Sequence, residues 1–309
     1  MLIKKDLSTC YNNYVINMKK IINNIIYVIS AILVVIILAL ACYYIFRTEK
    51  EIKVVDGLEV HFIDVGQAES ILIRLENHNV LIDAGNNKDG KLLVKYFKNL
   101  GIKGFDYVVG THPHEDHIGG LDNIINEFTI NHILMPDVTT NTKTFEDVLN
   151  ALEKKQLKIE IPEIDSTFKV EDLVFKVIYT GTNKEDLNSD SIVLRMDYKK
   201  HSYLFTADTT GDIEKQLLDK DIDVDVYKAS HHGSVYSNTY EFLEKVTPKY
   251  AVFMLGKDNE YYYPHIKAVN RIKKHTKEIY RTDKDGTIIF KDDGENIEVI
   301  KEQTDTDGD

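Results

Sequence analysis

Cysteine is almost absent from this 309-residue chain: there are two, Cys10 and Cys42, and both stand near the N-terminus. The long C-terminal part therefore has no disulfide, no thiolate metal ligand and no cysteine nucleophile. Any metal there must be held by histidine and carboxylates. Positive charge is also scarce, with 38 Lys and Arg against 50 Asp and Glu and a net charge of −12. Lys4, Lys5, Asp6, Lys19 and Lys20 give residues 1–24 a charge of +3, so the remainder carries −15. Such a body disfavours tight, sequence-independent binding of nucleic acid. It leaves room for a metal-dependent phosphodiesterase, because a bound dication supplies local positive charge. No internal repeat is present. The 43% hydrophobic content, with 10% aromatics, is enough for a sizeable core and excludes wholesale disorder.

Residues 25–46 read IIYVISAILVVIILALACYYIF, a run of 22 without a charge. That length crosses a bilayer core. Lys19 and Lys20 precede it, and Tyr43, Tyr44 and Phe46 crowd its far end like an interfacial belt. The basic residues are four before the span and three after it (Arg47, Lys50, Lys53), a mild bias towards a cytoplasmic N-terminus. The expectation is a cytoplasmic segment at 1–24, a signal-anchor at 25–46 and a linker at 47–57. A folded domain at 58–300 outside the cell membrane follows, then a disordered acidic tail at 301–309. A cleaved signal peptide and a lipoprotein site at Cys42 are the competing readings; the run is long for the first and the residues before Cys42 suit the second poorly.

From Leu58 onward, runs of strand length alternate with helical patterns. Strands are expected at 60–65, 70–75, 80–83, 107–111, 173–180, 192–198, 203–207, 224–228, 250–255, 278–281 and 287–291. Helices are expected at 90–100, near 118–128, at 144–155, near 212–218, at 240–245 and at 266–275. This mixture over one long domain predicts an α+β fold, a layered αββα sandwich.

The strongest chemical feature is Thr111-His112-Pro113-His114-Glu115-Asp116-His117, three imidazoles and an aspartate just after a buried strand. Neutral imidazole and carboxylate suit zinc, manganese or iron, and a loop can aim alternate residues at one point. The competing reading is a solvated His-rich loop. Asp208 follows an apolar strand, where a surface carboxylate is the bland alternative. His231-His232-Gly233-Ser234 follows another and can present an imidazole to the metal centre; His231 is the candidate general acid or additional ligand, and His232 reads equally as a packed histidine that orients its neighbour. Asp64 and Asp83 read equally as turn formers beside Gly66 and Gly85 or as supports for ligand imidazoles. Arg281 and Asp283, in a strand-end turn, read as a structural pair or as supports for the site residues, and Tyr261, Tyr262 and Tyr263 either line a cleft or pack.

His-x-His-x-Asp-His resembles the signature of the metallo-β-lactamase fold. The wider set VHFIDVGQAES (60–70), VLIDAG (80–85), THPHEDHIGGL (111–121), NSDSIVLRM (188–196), YLFTAD (203–208), KASHHGS (228–234) and YRTDKDGTI (280–288) is similar to the hydrolase domain of the ComEC competence-protein family. The resemblance implies a metallo-β-lactamase-type αββα sandwich with two divalent metal ions, zinc or manganese. His112 and His114 would hold one, Asp116 and His117 the other, and Asp208 would bridge them. Asp116 and His231 are the candidate catalytic residues, and a metal-bound hydroxide the expected nucleophile.

The chain departs from the family pattern in three places. The ligand histidine that the wider fold supplies before the bridging aspartate is replaced by a segment offering Asn188, Ser189 and Asp190. Tyr263 stands where a histidine is expected, and His265, two residues on, is the candidate substitute ligand. Gly66-Gln67-Ala68-Glu69 replaces Gly-Gln-Gly-Asp. The implied function is a membrane-anchored metal-dependent phosphodiesterase, with nucleic acid, DNA included, or another phosphodiester as substrate. The alternatives are a hydrolase of a lactone, β-lactam or cell-envelope ester, and a non-catalytic metal-stabilised binding module.

Overall fold

The computed structural model describes residues 3–48, 56–181 and 186–302. The chain divides into two compact units, residues 1–51 and 52–309. The first is described as one helix, α1 (Ile3–Thr48), and within Asn13–Tyr43 an 18-residue window reaches a mean hydropathy of 3.2 with no buried residues. Among the described residues it is the one helix long and apolar enough to cross a membrane. Helix begins at Ile3, so the expected 1–24 segment continues into the apolar run rather than preceding it as a separate piece. Of the expected 47–57 linker, residues 49–55 lie outside the described residues.

The second unit runs β1 (Leu58–Phe62), β2 (Ile71–Leu75), β3 (His78–Ile82), α2 (Gly90–Asn99), β4 (Gly104–Val109), α3 (Glu115–Ile118), α4 (Leu121–Glu127) and β5 (Thr129–Leu134). It continues with α5 (Lys143–Lys155), β6 (Ile159–Glu160), β7 (Thr167–Val170), β8 (Leu173–Tyr179), β9 (Val193–Tyr198), β10 (His201–Phe205), α6 (Gly211–Gln216) and β11 (Val226–Lys228). The last elements are α7 (Tyr240–Val246), β12 (Tyr250–Phe253), α8 (Ile266–Ile272), β13 (Glu278–Arg281), α9 (Thr282–Asp285), β14 (Thr287–Asp292) and β15 (Ile297–Glu302).

Among the described residues these strands make an eight-stranded sheet, β15-β14-β1-β2-β3-β4-β5-β6, and a seven-stranded one, β13-β12-β11-β10-β9-β8-β7. Each sheet is antiparallel on one side and parallel on the other: β3, β4, β5 and β6 run parallel, as do β10, β11, β12 and β13. Side-chain alternation along each strand explains the layering. Ile71, Ile73, Val80 and Ile82 meet Phe175, Val177, Met196 and Phe205 between the sheets. The opposite parity, Leu72, Leu81 and Val108, packs under α2, α4 and α5 with Leu93, Phe97, Ile124 and Val148. Leu204, Tyr227 and Ala251 do the same under α6, α7 and α8 with Ile213, Phe242 and Ile272. The αββα sandwich expected from the sequence is the fold.

Four strands were not expected: β5, β6, β7 and β15. Three are short or lie at a sheet edge, where half-exposed residues such as those of β7 and β15 blur the apolar pattern. β5 follows α4 with no break that the sequence marks. β15 pairs with β14 through Glu302, two residues past the expected 300 boundary. Residues 303–309 of the expected tail lie outside the described residues. Loops at the C-terminal ends of β3, β4, β10, β11 and β12 carry most of the chemistry described next.

Candidate metal centre

β4 ends at Val109, and the chain turns through Gly110 into the histidine loop; a Cβ on Gly110 would stand 3.1 Å from Leu121 Cδ1 and 3.2 Å from Ile118 Cγ2. His112 is fully buried, and its Nε2 lies 3.0 Å from Nδ1 of the partly exposed His114. His114 then begins α3, which puts Asp116 and His117 one turn on. His117 is fully buried. Its Nδ1 donates to Asp83 Oδ2 at 2.6 Å, while Thr111 donates to the same carboxylate through its amide (2.8 Å) and its hydroxyl (2.7 Å). Asp83, with φ +59, is thus the support for an imidazole. Asp64 instead accepts the Gly66 amide at 3.1 Å, as a turn former does.

Asp208, after β10, is 3% exposed and faces inward. Its Oδ1 stands 3.3 Å from His117 Nε2 and 3.6 Å from His232 Nε2, and its Oδ2 is 3.6 Å from His231 Nε2. His232 Nε2 also lies 3.4 Å from Asp116 Oδ2. One ligand atom from each of Asp116, His117, Asp208 and His232 falls within 4.8 Å of the others. His117 Nε2, Asp208 Oδ1 and His232 Nε2 are buried and make no hydrogen bond. Three orphaned donor atoms at one buried point carry a desolvation cost that a shared cation removes. The donor set, two imidazoles and two carboxylates, suits a divalent metal.

Burial opposes a charge on His117, but Asp208, Asp83 and Asp116 together lift its pKa well above the usual range. Burial likewise opposes a charge on His232, and Asp208 with Asp116 raises its pKa. Without a cation these carboxylates draw protons onto the imidazoles, so metal uptake displaces protons and strengthens as pH rises.

Of the two neighbouring histidines, His232 and not His231 stands in the four-donor group. His232 is 1% exposed, and its Nδ1 donates to Met254 O at 2.7 Å, leaving Nε2 aimed at the carboxylates. That is the arrangement of a metal-ligating imidazole. His231 is 19% exposed and its Nε2 lies 3.3 Å from the Tyr263 hydroxyl, at the cavity rather than in the four-donor group. His265 is a correction: its Nδ1 accepts the Val235 amide at 2.9 Å and it caps α8, outside that group. Tyr263 stacks on His232 and on Tyr261, and these two tyrosines line the site, whereas Tyr262 is exposed. Arg281 pairs with Asp283 at 2.5 and 2.9 Å, as expected of a structural pair.

Backbone geometry places the two imidazoles. His231, His232 and Gly233 have φ values of +49, +50 and +85 in succession. Non-glycine residues there cost about 1–3 kcal/mol each and persist only where surroundings enforce them. Here the His231 amide donates to Ala207 O and the Ser234 amide to His231 O. A Cβ at Gly233 would meet Pro264 Cβ at 2.6 Å and Phe253 Cε1 at 2.7 Å. Gly233→Ala is therefore expected to destabilise the folded unit by about 2–4 kcal/mol, combining overpacking with an unfavourable φ. Urea unfolding measures it, and a change under about 0.5 kcal/mol, the scale of an indifferent surface substitution, would refute the packing argument.

Glu69 and Lys228 form a fully buried ion pair beneath the centre. Lys228 also donates to Ala207 O at 3.1 Å. Its signal in the sequence is a lysine that ends an apolar strand. Glu69, Asp83 and His117 also approach within 4.8 Å. Lys228 answers the first and the Asp83–His117 bond the other two, so this group reads as support.

A cavity of about 290 Å³ opens over the centre, lined by Gln67, His114, Glu115, Asn188, His231 and Tyr263 among others.

A family model described as the metallo-beta-lactamase superfamily matches residues 63–257. ComE operon protein 3 of Bacillus subtilis is 28% identical over 254 residues, covering 75% of this chain and 33% of that protein. Competence protein ComA of Neisseria gonorrhoeae is 27% identical over 233 residues, covering 74% and 31%. The chain spans about a third of the length of these relatives. Among solved structures, the metallo-beta-lactamase fold protein YhfI from Bacillus subtilis matches with a TM-score of 0.52 at 14% identity, over 73% of this chain and 96% of that one. At that identity the likeness shows the fold alone.

Proposed function

The chain belongs to the metallo-beta-lactamase superfamily, as a metal-dependent hydrolase related to competence proteins, and from that premise we propose a phosphodiesterase anchored to the cell membrane by α1. The observation that carries the proposal is the convergence of donors on Asp116, His117, Asp208 and His232, the last three of them with an orphaned buried atom, beneath an open cavity. These four would hold one divalent ion, zinc or manganese, and His112 with His114 would contribute to a second. Such a pair supplies Lewis acidity and lowers the pKa of water.

The chain's own residues do the rest. Asp83 and the Met254 carbonyl fix the His117 and His232 tautomers, so that each presents Nε2. His231, at the cavity beside the Tyr263 hydroxyl, is placed to hand a proton to a leaving oxygen. Burial lowers its pKa, with Asp208 opposing, so the imidazole is mostly neutral at neutral pH and must take up a proton before it can act as the acid.

Charge narrows the substrate. The described lining residues include Glu115, Asp116 and Asp208 and no Lys or Arg. Two dications would offset these three carboxylates, so a phosphodiester monoanion can approach a cavity that has no basic side chain among its described lining residues. Nucleic acid, DNA included, is one diester of the right charge; the acidic body argues for short or single-stranded stretches rather than a long duplex.

The test uses the full chain in detergent. Elemental analysis should find two metals, and bis(p-nitrophenyl) phosphate hydrolysis should fall by more than about 100-fold with a chelator and return with zinc or manganese. A chain with no metal and no turnover would be a binding module instead. Protease added to intact cells should remove the C-terminal unit; protection there would overturn the extracytoplasmic placement.

A further inference from the structure

Four donors converge on one point, but His112 and His114 bring only two to theirs. Their Nε2 and Nδ1 are 3.0 Å apart, a separation that two imidazoles sharing one ion adopt. Even with Asp208 shared between the two ions, as the family resemblance implies, this metal would have three protein ligands and an open fourth position. The residue that the structure brings alongside is Asn188.

Asn188 sits in the 3₁₀ turn Leu187–Asp190 and lines the same cavity. Its segment is tied to the histidine loop: the Ile192 amide donates to Thr111 O at 2.9 Å, and Ser191 Oγ lies 3.5 Å from His112 Nδ1. Ser191 Oγ also accepts the Asp208 amide at 3.3 Å, so one turn touches the neighbours of both donor groups. The Asn188 amide oxygen, Oδ1, is buried and makes no hydrogen bond. A buried carbonyl oxygen without a donor is costly, and a cation at the cavity floor satisfies it.

We infer that Asn188 Oδ1 is a ligand of the second metal, completing the pair His112 and His114. This rests on the metallohydrolase reading above. An amide oxygen is neutral and harder than an imidazole, so the site it completes is the weaker of the two and favours Mn²⁺ relative to the His-rich alternative, which favours Zn²⁺. The two metals would then differ in affinity because the donors differ: two carboxylates and two imidazoles for one, two imidazoles, an amide and the shared Asp208 carboxylate for the other.

The experiment is a calorimetric titration of the metal-free full chain in detergent with Mn²⁺ and, separately, Zn²⁺. Elemental analysis and Mn²⁺ electron paramagnetic resonance count the ions bound. The wild type should bind two Mn²⁺ in two steps. Asn188→Leu should weaken the second step at least tenfold and leave the first within twofold, with an unchanged circular dichroism spectrum. Asn188→Asp, which keeps an oxygen, should retain both steps, and Asn188→His should tighten the second Zn²⁺ at least tenfold. Should Asn188→Leu fail to fold, the aspartate and histidine variants still decide. Two unchanged Mn²⁺ steps in Asn188→Leu, loss of the second step in Asn188→Asp, or no gain for Zn²⁺ in Asn188→His would overturn the assignment while leaving the hydrolase intact. A wild-type chain that takes up no metal overturns the hydrolase reading, and this one with it.

Discussion

His232→Ala is expected to remove one metal per chain and to lower phosphodiester turnover by more than about 100-fold, since even losing a supporting partner of a ligand costs about 10- to 100-fold. The imidazole is 1% exposed, locked by Met254 O, and aimed at Asp116 and Asp208. Its removal leaves those carboxylates facing one another with one fewer donor between them. His265→Ala is the control that gives the result meaning. His265 accepts the Val235 amide, so its loss is expected to cost about 1 kcal/mol of stability and no metal. Elemental analysis of the two purified variants separates the outcomes. A His265→Ala protein short of one metal, or a His232→Ala protein with its full complement, would reverse the assignment made from the geometry.

The second large effect is on stability. Lys228→Met is expected to cost about 3–5 kcal/mol, because it leaves the buried Glu69 carboxylate without its counter-charge. Adding Glu69→Gln to Lys228→Met should recover most of the loss, since a neutral pair has no charge to desolvate. The chain has no tryptophan and 18 tyrosines, so near-ultraviolet circular dichroism during urea unfolding is the appropriate readout. If Lys228→Met is as stable as the wild type, the pair is not a buried ion pair in solution. Recovery in the double variant would also show that Glu69 and Lys228 act as one unit. The pair packs directly behind the ligands, with the Glu69 amide on Asp116 O, so metal affinity should fall alongside stability.

Where the sequence was legible, the reason is local. Alternating apolar residues foretold both inner sheet faces because side-chain direction repeats every two residues along a strand, and nearly every strand here is buried on at least one face. The histidine loop was legible for the same reason: His112, His114, Asp116 and His117 lie within six residues, and a strand end followed by one helical turn suffices to gather them. Asp208 was found because it ends an apolar strand. The edge strands β7 and β15 were missed because half-exposed residues do not alternate cleanly.

Spacing could not choose among groups that meet only across the fold. His231 and His232 are chemically alike and adjacent; which one joins Asp116 and Asp208 depends on two left-handed residues and on a carbonyl from β12's end that lies far away in the chain. His265, close in sequence to the vacant family position, is turned to the Val235 amide by the start of α8. Lys228 met Glu69 only when β11 and the loop after β1 were brought together between the layers. The sequence by itself determined the αββα layering, the apolar N-terminal span and the donors contiguous in the chain, because each follows from periodicity or nearest-neighbour spacing. The fourth donor, the support for each imidazole and the place of Asn188 were decided by the tertiary structure alone, because they depend on backbone φ and on contacts between loops that no local pattern encodes.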